Sequence, residues 1–262
     1  MSTYGTSQWS QPAGWHNNHR AEFDTIVEID DAWSMRYPGG KGACYQHLIN
    51  LMPRHQTYIE SHLGGGAVMR HKRPAERNIG IERDARVLAR WMVRGEHHVE
   101  LVHDDAVAVL RSFPYTGHEL VYCDPPYLAS TRRGGAMYRY EYSDHDHLAL
   151  LEVLTALPCK VMISGYANAM YDTKLAGWRT HRFMAKSHTG LREEMVWMNF
   201  PEPAVLHDTR FLGASFSERQ SIQRRTQTLH RRLTELASIE RTALIRWMAD
   251  RFGDEFKEAL CK

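Results

Sequence analysis

The sequence predicts an α/β fold, a mostly parallel sheet with helices on both faces, followed by a small C-terminal helical hairpin. Three observations predict it. Short apolar runs alternate with stretches of helical periodicity between residues 33 and 200. A glycine cluster, Gly64-Gly65-Gly66, separates the first run from the first helix, where an open α/β sheet places a ligand-facing turn. From Ser217 onward the pattern becomes purely helical and rich in arginine.

The elements follow in order. Residues 1–32 are polar and irregular, and are expected to form an N-terminal arm. Tyr58-Ile59-Glu60 reads as the first strand, with a helix through Ala67-Val68-Met69 after the glycines. Residues 78–82 read as the second strand, and the next helix runs through Val87, Leu88 and Trp91. Residues 99–102, 120–123 and 160–164 read as the third, fourth and fifth strands, with later strands near 179–183 and 194–199. Residues 201–213 hold two prolines and no periodicity, the signature of a linker. In 201–262 the hairpin then follows. Ile222, Leu229, Leu233 and Leu236 share one face of its first helix, and Arg224, Arg225, Arg231 and Arg232 crowd the rest. Its second helix carries Leu244, Ile245, Trp247 and Met248.

Composition excludes several classes. The chain has 262 residues, 43% of them hydrophobic, enough for one large domain with an appendage. Lys and Arg number 33 against 31 Asp and Glu, so any basic surface must be local. Four cysteines stand far apart without a CxxC pair, which reads as reduced thiols rather than a disulfide frame or a zinc site. The 16 histidines include no HExxH or similar spacing, so no metal site is expected. With no long apolar run and no signal peptide, the chain reads as soluble and cytoplasmic, with no membrane partner.

Asp124-Pro125-Pro126-Tyr127 carries the chemistry. It follows the apolar run 120–123, so it sits at the end of a buried strand. Proline fixes its own φ and restricts the residue before it, which holds Asp124 and Pro125 rigid. The Asp124 carboxylate and the Pro125 carbonyl can both accept hydrogen bonds from one amine, while Tyr127 offers a stacking face. Gly64 lets backbone approach a nucleotide-like ligand, and Glu82, ending the second strand, is spaced to accept from ribose hydroxyls. Asp104-Asp105, ending the third, can receive an adenine amino group. Ligands of open α/β sheets bind at the carboxyl ends of the strands, so all four features converge on one cleft.

These residues together resemble the D12-class, Dam-like DNA adenine-N6 methyltransferases. The likeness covers about residues 33 to 200, including Ser164-Gly165-Tyr166 and Glu194-Met195-Val196-Trp197. It implies S-adenosylmethionine bound on a Rossmann-like methyltransferase sheet and double-stranded DNA as partner. Arg36-Tyr37-Pro38-Gly39-Gly40-Lys41 matches the family's first motif, so the resemblance puts Tyr37, Gly39, Gly40 and Lys41 beside the cofactor or the target base. Its cofactor loop corresponds to Glu60, Ser61, His62, Leu63, Gly64, Gly65 and Gly66; the family usually has Pro-Phe where this chain has His62-Leu63. Glu82 takes the ribose role, often an Asp in relatives, with Asp104 and Asp105 beyond it. Asp124, Pro125, Pro126 and Tyr127 are the implied catalytic residues, acting on an adenine flipped out of the duplex.

Dam relatives carry a recognition domain before the catalytic motif, and the stretch 106–123 is too short for one. Arg36 and the loop 128–144, with Arg132, Arg133 and Arg139 among tyrosines, are candidates for nucleic-acid contact. The Arg-rich hairpin is another, or else a homodimer surface. Three rival readings stay open. RNA can replace DNA as substrate. A protein amide is less suited, because protein-glutamine enzymes carry Asn at the position of Asp124. The chain can also be a nucleic-acid-binding protein with a degenerate cofactor site.

Overall fold

Among the described residues, seven strands form one sheet: β1 (Thr57–Glu60), β2 (Arg77–Glu82), β3 (Glu100–His103), β4 (Glu119–Cys123), β5 (Lys160–Gly165), β6 (Arg179–Ser187) and β7 (Gly190–Met198). The computed structural model describes residues 40–132, 138–187 and 190–260. The expected N-terminal arm lies outside the described residues, as do Arg36, Tyr37, Gly39 and Arg133.

The strand order is β3-β2-β1-β4-β5-β7-β6. The first five strands pair in parallel, as predicted. β7 runs antiparallel to both β5 and β6, a return the sequence does not announce. The chain winds outward from β1 to β3, then restarts at β4 on the other side of β1. That reversal opens a crevice at the carboxyl ends of β1 and β4.

Burial explains the order. Every residue of β4 is buried, including Leu120, Val121 and Tyr122. A strand covered on both faces needs a continuous apolar run rather than alternation. Each such side chain contributes about 1.5–3 kcal/mol on burial. β3, at the edge, is half-buried or exposed along its length.

The helices are set by their caps. Between the strands lie α1 (Tyr45–Ile49), α2 (Ala67–His71), α3 (Ala85–Arg94), α4 (Ala106–Ser112), α5 (Asp144–Ala156) and α6 (Ala169–Lys174). The Asp84 carboxylate accepts from the Arg86 amide at the start of α3, and Gly95 ends that helix in the left-handed region. Asp105 accepts from the Val107 and Ala108 amides and starts α4. Ser143 and Asp146 form a reciprocal capping box on α5. These caps fix where each helix leaves the cleft edge of the sheet.

The segment expected to be a linker, 201–213, is packed onto the domain instead. Asp208 is buried, accepts from the Arg73 amide at 2.8 Å and pairs with Arg210 at 2.6 Å. The His207 amide donates to the Met52 carbonyl, and the Asn50 side-chain amide to the Phe211 carbonyl. A short bridge also joins Pro53 to Leu206. Prolines suggested flexibility here, but one buried carboxylate with several partners pins the strand.

The C-terminal helices are present as α7 (Phe216–Glu235) and α8 (Ser238–Arg251), with an unforeseen third, α9 (Gly253–Leu260). α8 packs on α9, whereas α7 and α8 touch little along their lengths. On the expected apolar face of α7, Ile222, Leu233 and Leu236 are half-buried, whereas Leu229 is 57% exposed.

One packing contact shapes the cleft wall. Gly66 adopts φ +53°, and a Cβ there would collide with the Trp91 indole. The same indole donates to the Gly64 carbonyl at 2.9 Å. Gly66→Ala is expected to cost about 2–4 kcal/mol from overpacking and left-handed strain. Denaturant titration checks this, and a loss under about 0.5 kcal/mol would mean that Trp91 does not hold the loop.

Candidate active site

The end of β4 delivers Asp124 beside β5. There the Ser164 hydroxyl donates to Asp124 Oδ1 at 2.8 Å and also meets the Tyr122 hydroxyl at 3.0 Å. Lys41, in the single turn Lys41–Ala43 before α1, places its Nζ 2.7 Å from Asp124 Oδ1. The same ammonium lies 3.7 Å from Glu194 Oε2, on β7. Tyr127 donates its hydroxyl to that Glu194 oxygen at 3.1 Å, and Lys41 Nζ lies 4.8 Å from the Tyr127 ring centre. Two carboxylates thus share one buried cation. Burial disfavours the Lys41 ammonium, but Asp124 and then Glu194 outweigh it and raise its pKa well above the ordinary value.

An aromatic wall adjoins this cluster. Tyr166 meets Tyr127 edge-on with ring centres 4.7 Å apart. The Arg192 guanidinium sits 3.6 Å from the Tyr166 ring centre and donates to the Thr131 carbonyl at 2.8 Å. Stacked, hydrogen-bonded arginine holds Tyr166 upright.

From Asp124 an open cleft runs toward the ends of β1, β2 and β3. Gly64, Glu82, Asp104, Asp105, Asp124 and Pro126 line it, with Tyr138, Tyr140 and Tyr142 on the far side. Glu82 accepts from the Gly64 amide at 2.9 Å and from the Asp84 amide at 2.8 Å. Asp104 accepts from the Asp105 amide at 2.7 Å and lines the cleft while remaining exposed. Acceptors clustered this way suit a ligand that donates from hydroxyls and amines, and they favour positive charge.

The predicted site residues divide. Lys41, Gly64, Glu82, Asp104, Asp105 and Asp124 converge on the cleft or its end. His62 also lines the cleft, bridging the Ser61 hydroxyl and the Tyr142 hydroxyl at 2.9 Å each. Burial, with a smaller push from His147, lowers its pKa to about 3, so its imidazole is neutral at neutral pH. Pro126 faces the cleft, Pro125 is buried, and Tyr127 turns its hydroxyl toward Glu194. Gly40 is exposed at the edge of the described residues.

Other expected residues have different roles. Glu60 does not line the cleft: it is buried and accepts from the Tyr58 hydroxyl at 3.1 Å. Leu63 is a core residue, pressed against Gly80, and Gly65 and Gly66 shape the loop behind the cleft. Arg132 is committed to Glu141 through two hydrogen bonds, at 2.9 and 2.6 Å, rather than presented to a phosphate. Arg139 does line the cleft, with Nη1 3.8 Å from Asp84. Sequence reasoning assigned no role to Glu194, Ser164 or the tyrosines 138, 140 and 142. A glutamate inside the apolar run of β7 was the available signal, because a carboxylate is buried only with partners.

No protein-family model matches the chain, and no curated protein matches it. Solved structures do. The N-methyltransferase NodS from Bradyrhizobium japonicum aligns over 61% of this chain and 94% of its own, with 12% identity and a TM-score of 0.43. The O-methyltransferase TomG from Streptomyces achromogenes, solved with SAM, aligns over 60% of this chain and 78% of its own, with 14% identity and a TM-score of 0.41. An rRNA methylase from Streptococcus thermophilus aligns over 59% and 93%, with 13% identity and a TM-score of 0.39. At these identities and scores no substrate transfers from those proteins to this one.

Two outcomes follow from the buried charges. Lys41→Met leaves Asp124 and Glu194 without their cation, so it is expected to destabilise the fold by about 3–5 kcal/mol, read by denaturant titration; an unchanged midpoint would refute the shared-cation description. Burial raises Glu60 from 4.5 to about 8, so between those values the folded chain holds a proton that the unfolded chain has released. The stability contributed by neutral Glu60 is complete below the unfolded pKa and is lost as pH rises through the folded one. Glu60→Gln should flatten the decline in unfolding free energy measured from about pH 5 to about pH 8, and an equal decline in both proteins would sink the assignment.

Proposed function

We propose that this chain transfers a methyl group from S-adenosylmethionine to the N6 amine of a flipped-out adenine in duplex DNA. One observation carries the reading: Asp124, held by Lys41 and Ser164, lines the same cleft as Gly64, Glu82 and Asp104. An amine acceptor and a nucleoside-binding edge therefore share one space.

The donor chemistry of the cleft fits the cofactor. Glu82, Asp104 and Asp105 offer acceptors for ribose hydroxyls and an adenine amine, and their negative charge favours a sulfonium. When bound, S-adenosylmethionine supplies an electrophilic methyl group on a good leaving group. What the chain must supply is position, which can account for a large part of such a rate.

Its residues divide that work. Asp124 and the Pro125 carbonyl accept hydrogen bonds from the N6 amine and aim its lone pair. Lys41 stays charged and, with the Ser164 hydroxyl, holds the Asp124 side chain in place as an acceptor. Tyr127, braced by Glu194 and Tyr166, supplies the stacking face that offsets the few kcal/mol of unstacking.

The test is methyl transfer from labelled S-adenosylmethionine to unmethylated duplex DNA, with RNA in parallel. N6-methyladenine should appear in the DNA, and Asp124→Ala should lower its rate by at least about 100-fold, as removal of one positioned hydrogen-bonding group does. Label in RNA alone would move the activity to that polymer. Cofactor binding without transfer to either would overturn the substrate assignment.

A further inference from the structure

We infer that α7 is a docking helix for duplex DNA, gripping phosphates through Arg224, Arg225, Arg231 and Arg232. This extends the proposed substrate to a second surface, and its test reads binding rather than chemistry.

The charge of this helix is unlike that of the chain. Residues 219–234 hold five arginines and no Asp or Glu, whereas the whole chain has a net charge of only +2. The remainder is therefore acidic on balance, and the positive charge is concentrated on one element. α7 has 20 residues, none of them buried. The four arginines are exposed, and none pairs with an acid among the described residues.

Spacing turns that charge into a surface. Helix positions seven apart return to within about 20° of one another. Arg224 therefore lies in line with Arg231, and Arg225 with Arg232, forming two pairs about 10 Å apart along the axis. Ile222, Leu229 and Leu233 lie together on the flank next to the Arg225–Arg232 pair. Like charges held this close repel, and a polyanion relieves the repulsion. Gln220, Gln223 and Gln227 add neutral donors of the kind that bind phosphate oxygens.

Helical shape selects the partner. The major groove of B-form DNA is about 12 Å wide and admits an α-helix, whereas that of A-form RNA is too narrow. A membrane-surface helix would carry Trp or Phe along its apolar side; α7 has a single aromatic of that kind, Phe216 at its first position, and none alongside the four arginines. The stretch 106–123 is too short for a recognition domain, which leaves duplex contact to other elements, and α7 offers one.

The experiment measures binding of a fluorescent unmethylated duplex across a salt series, for the full chain and for R224A/R225A/R231A/R232A. The wild-type chain should bind with a steep salt dependence. The alanine variant should lose at least about 100-fold in affinity near 0.1 M salt, with a log–log slope shallower by about 3 to 4, because each phosphate contact contributes about 0.9. The corresponding fourfold Arg→Lys variant should keep most of the slope. Unchanged circular dichroism and S-adenosylmethionine affinity would show both variants folded. The inference is overturned if wild type does not bind the duplex or if the alanine variant keeps the wild-type slope. It is equally overturned if the arginines serve only duplex RNA or phosphatidylglycerol vesicles. Arginine-dependent DNA binding without methyl transfer would keep the docking helix and remove the enzymatic reading. Methyl transfer with binding indifferent to the arginines would do the reverse.

Discussion

A single buried ammonium organises the business end of this protein. Lys41 comes from the turn before α1, Asp124 from the end of β4 and Glu194 from β7, segments far apart in the chain. None of the three charges is tolerable alone in that environment. The two carboxylates are acceptable only because Lys41 lies against both, and Lys41 only because of them, so the cluster forces those segments into one arrangement. Tyr127 and Ser164 hang on the same two carboxylates, and the orientation of the strand-end motif follows from them.

That dependence also explains the division of the site. Behind Asp124 the groups are buried, paired and rigid. In front of it lie Glu82, bonded to the Gly64 and Asp84 amides, and Asp104, bonded to the Asp105 amide. A ligand entering the cleft meets acceptors already aimed by the fold, with little reorganisation to impose. The hydrogen bond from Trp91 to Gly64 has the same effect on the loop between these two regions.

Much of the fold was legible in the sequence because the sheet's centre is covered on both faces. A strand buried on two sides must be apolar throughout, and 120–123 could hardly be read otherwise. The reversal at β7 was not legible, since a short run states that it is a strand and not which neighbour it takes. Glu60 was misread for a local reason. An acid at a strand end looks alike whether it faces a ligand or the core. Yet Tyr58 and Glu60 are two residues apart and share one face, so the burial of one carried the answer for the other. Arg132 was misread because its partner, Glu141, lies nine residues on, across a loop with no periodicity.

The position of β7 has a consequence for how the chain assembles. β6 is synthesised first, but it occupies the outer edge and pairs only with β7. Until β7 exists, β6 has no place on the sheet. The two must therefore join as an antiparallel pair and insert as a unit beside β5. Glu194 rides on that pair, so Lys41 and Asp124 wait for their third member until β7 has been made. The first five strands can form a parallel sheet before then, but the site is closed by β7, and a nascent chain holds an incomplete charge cluster until that strand emerges.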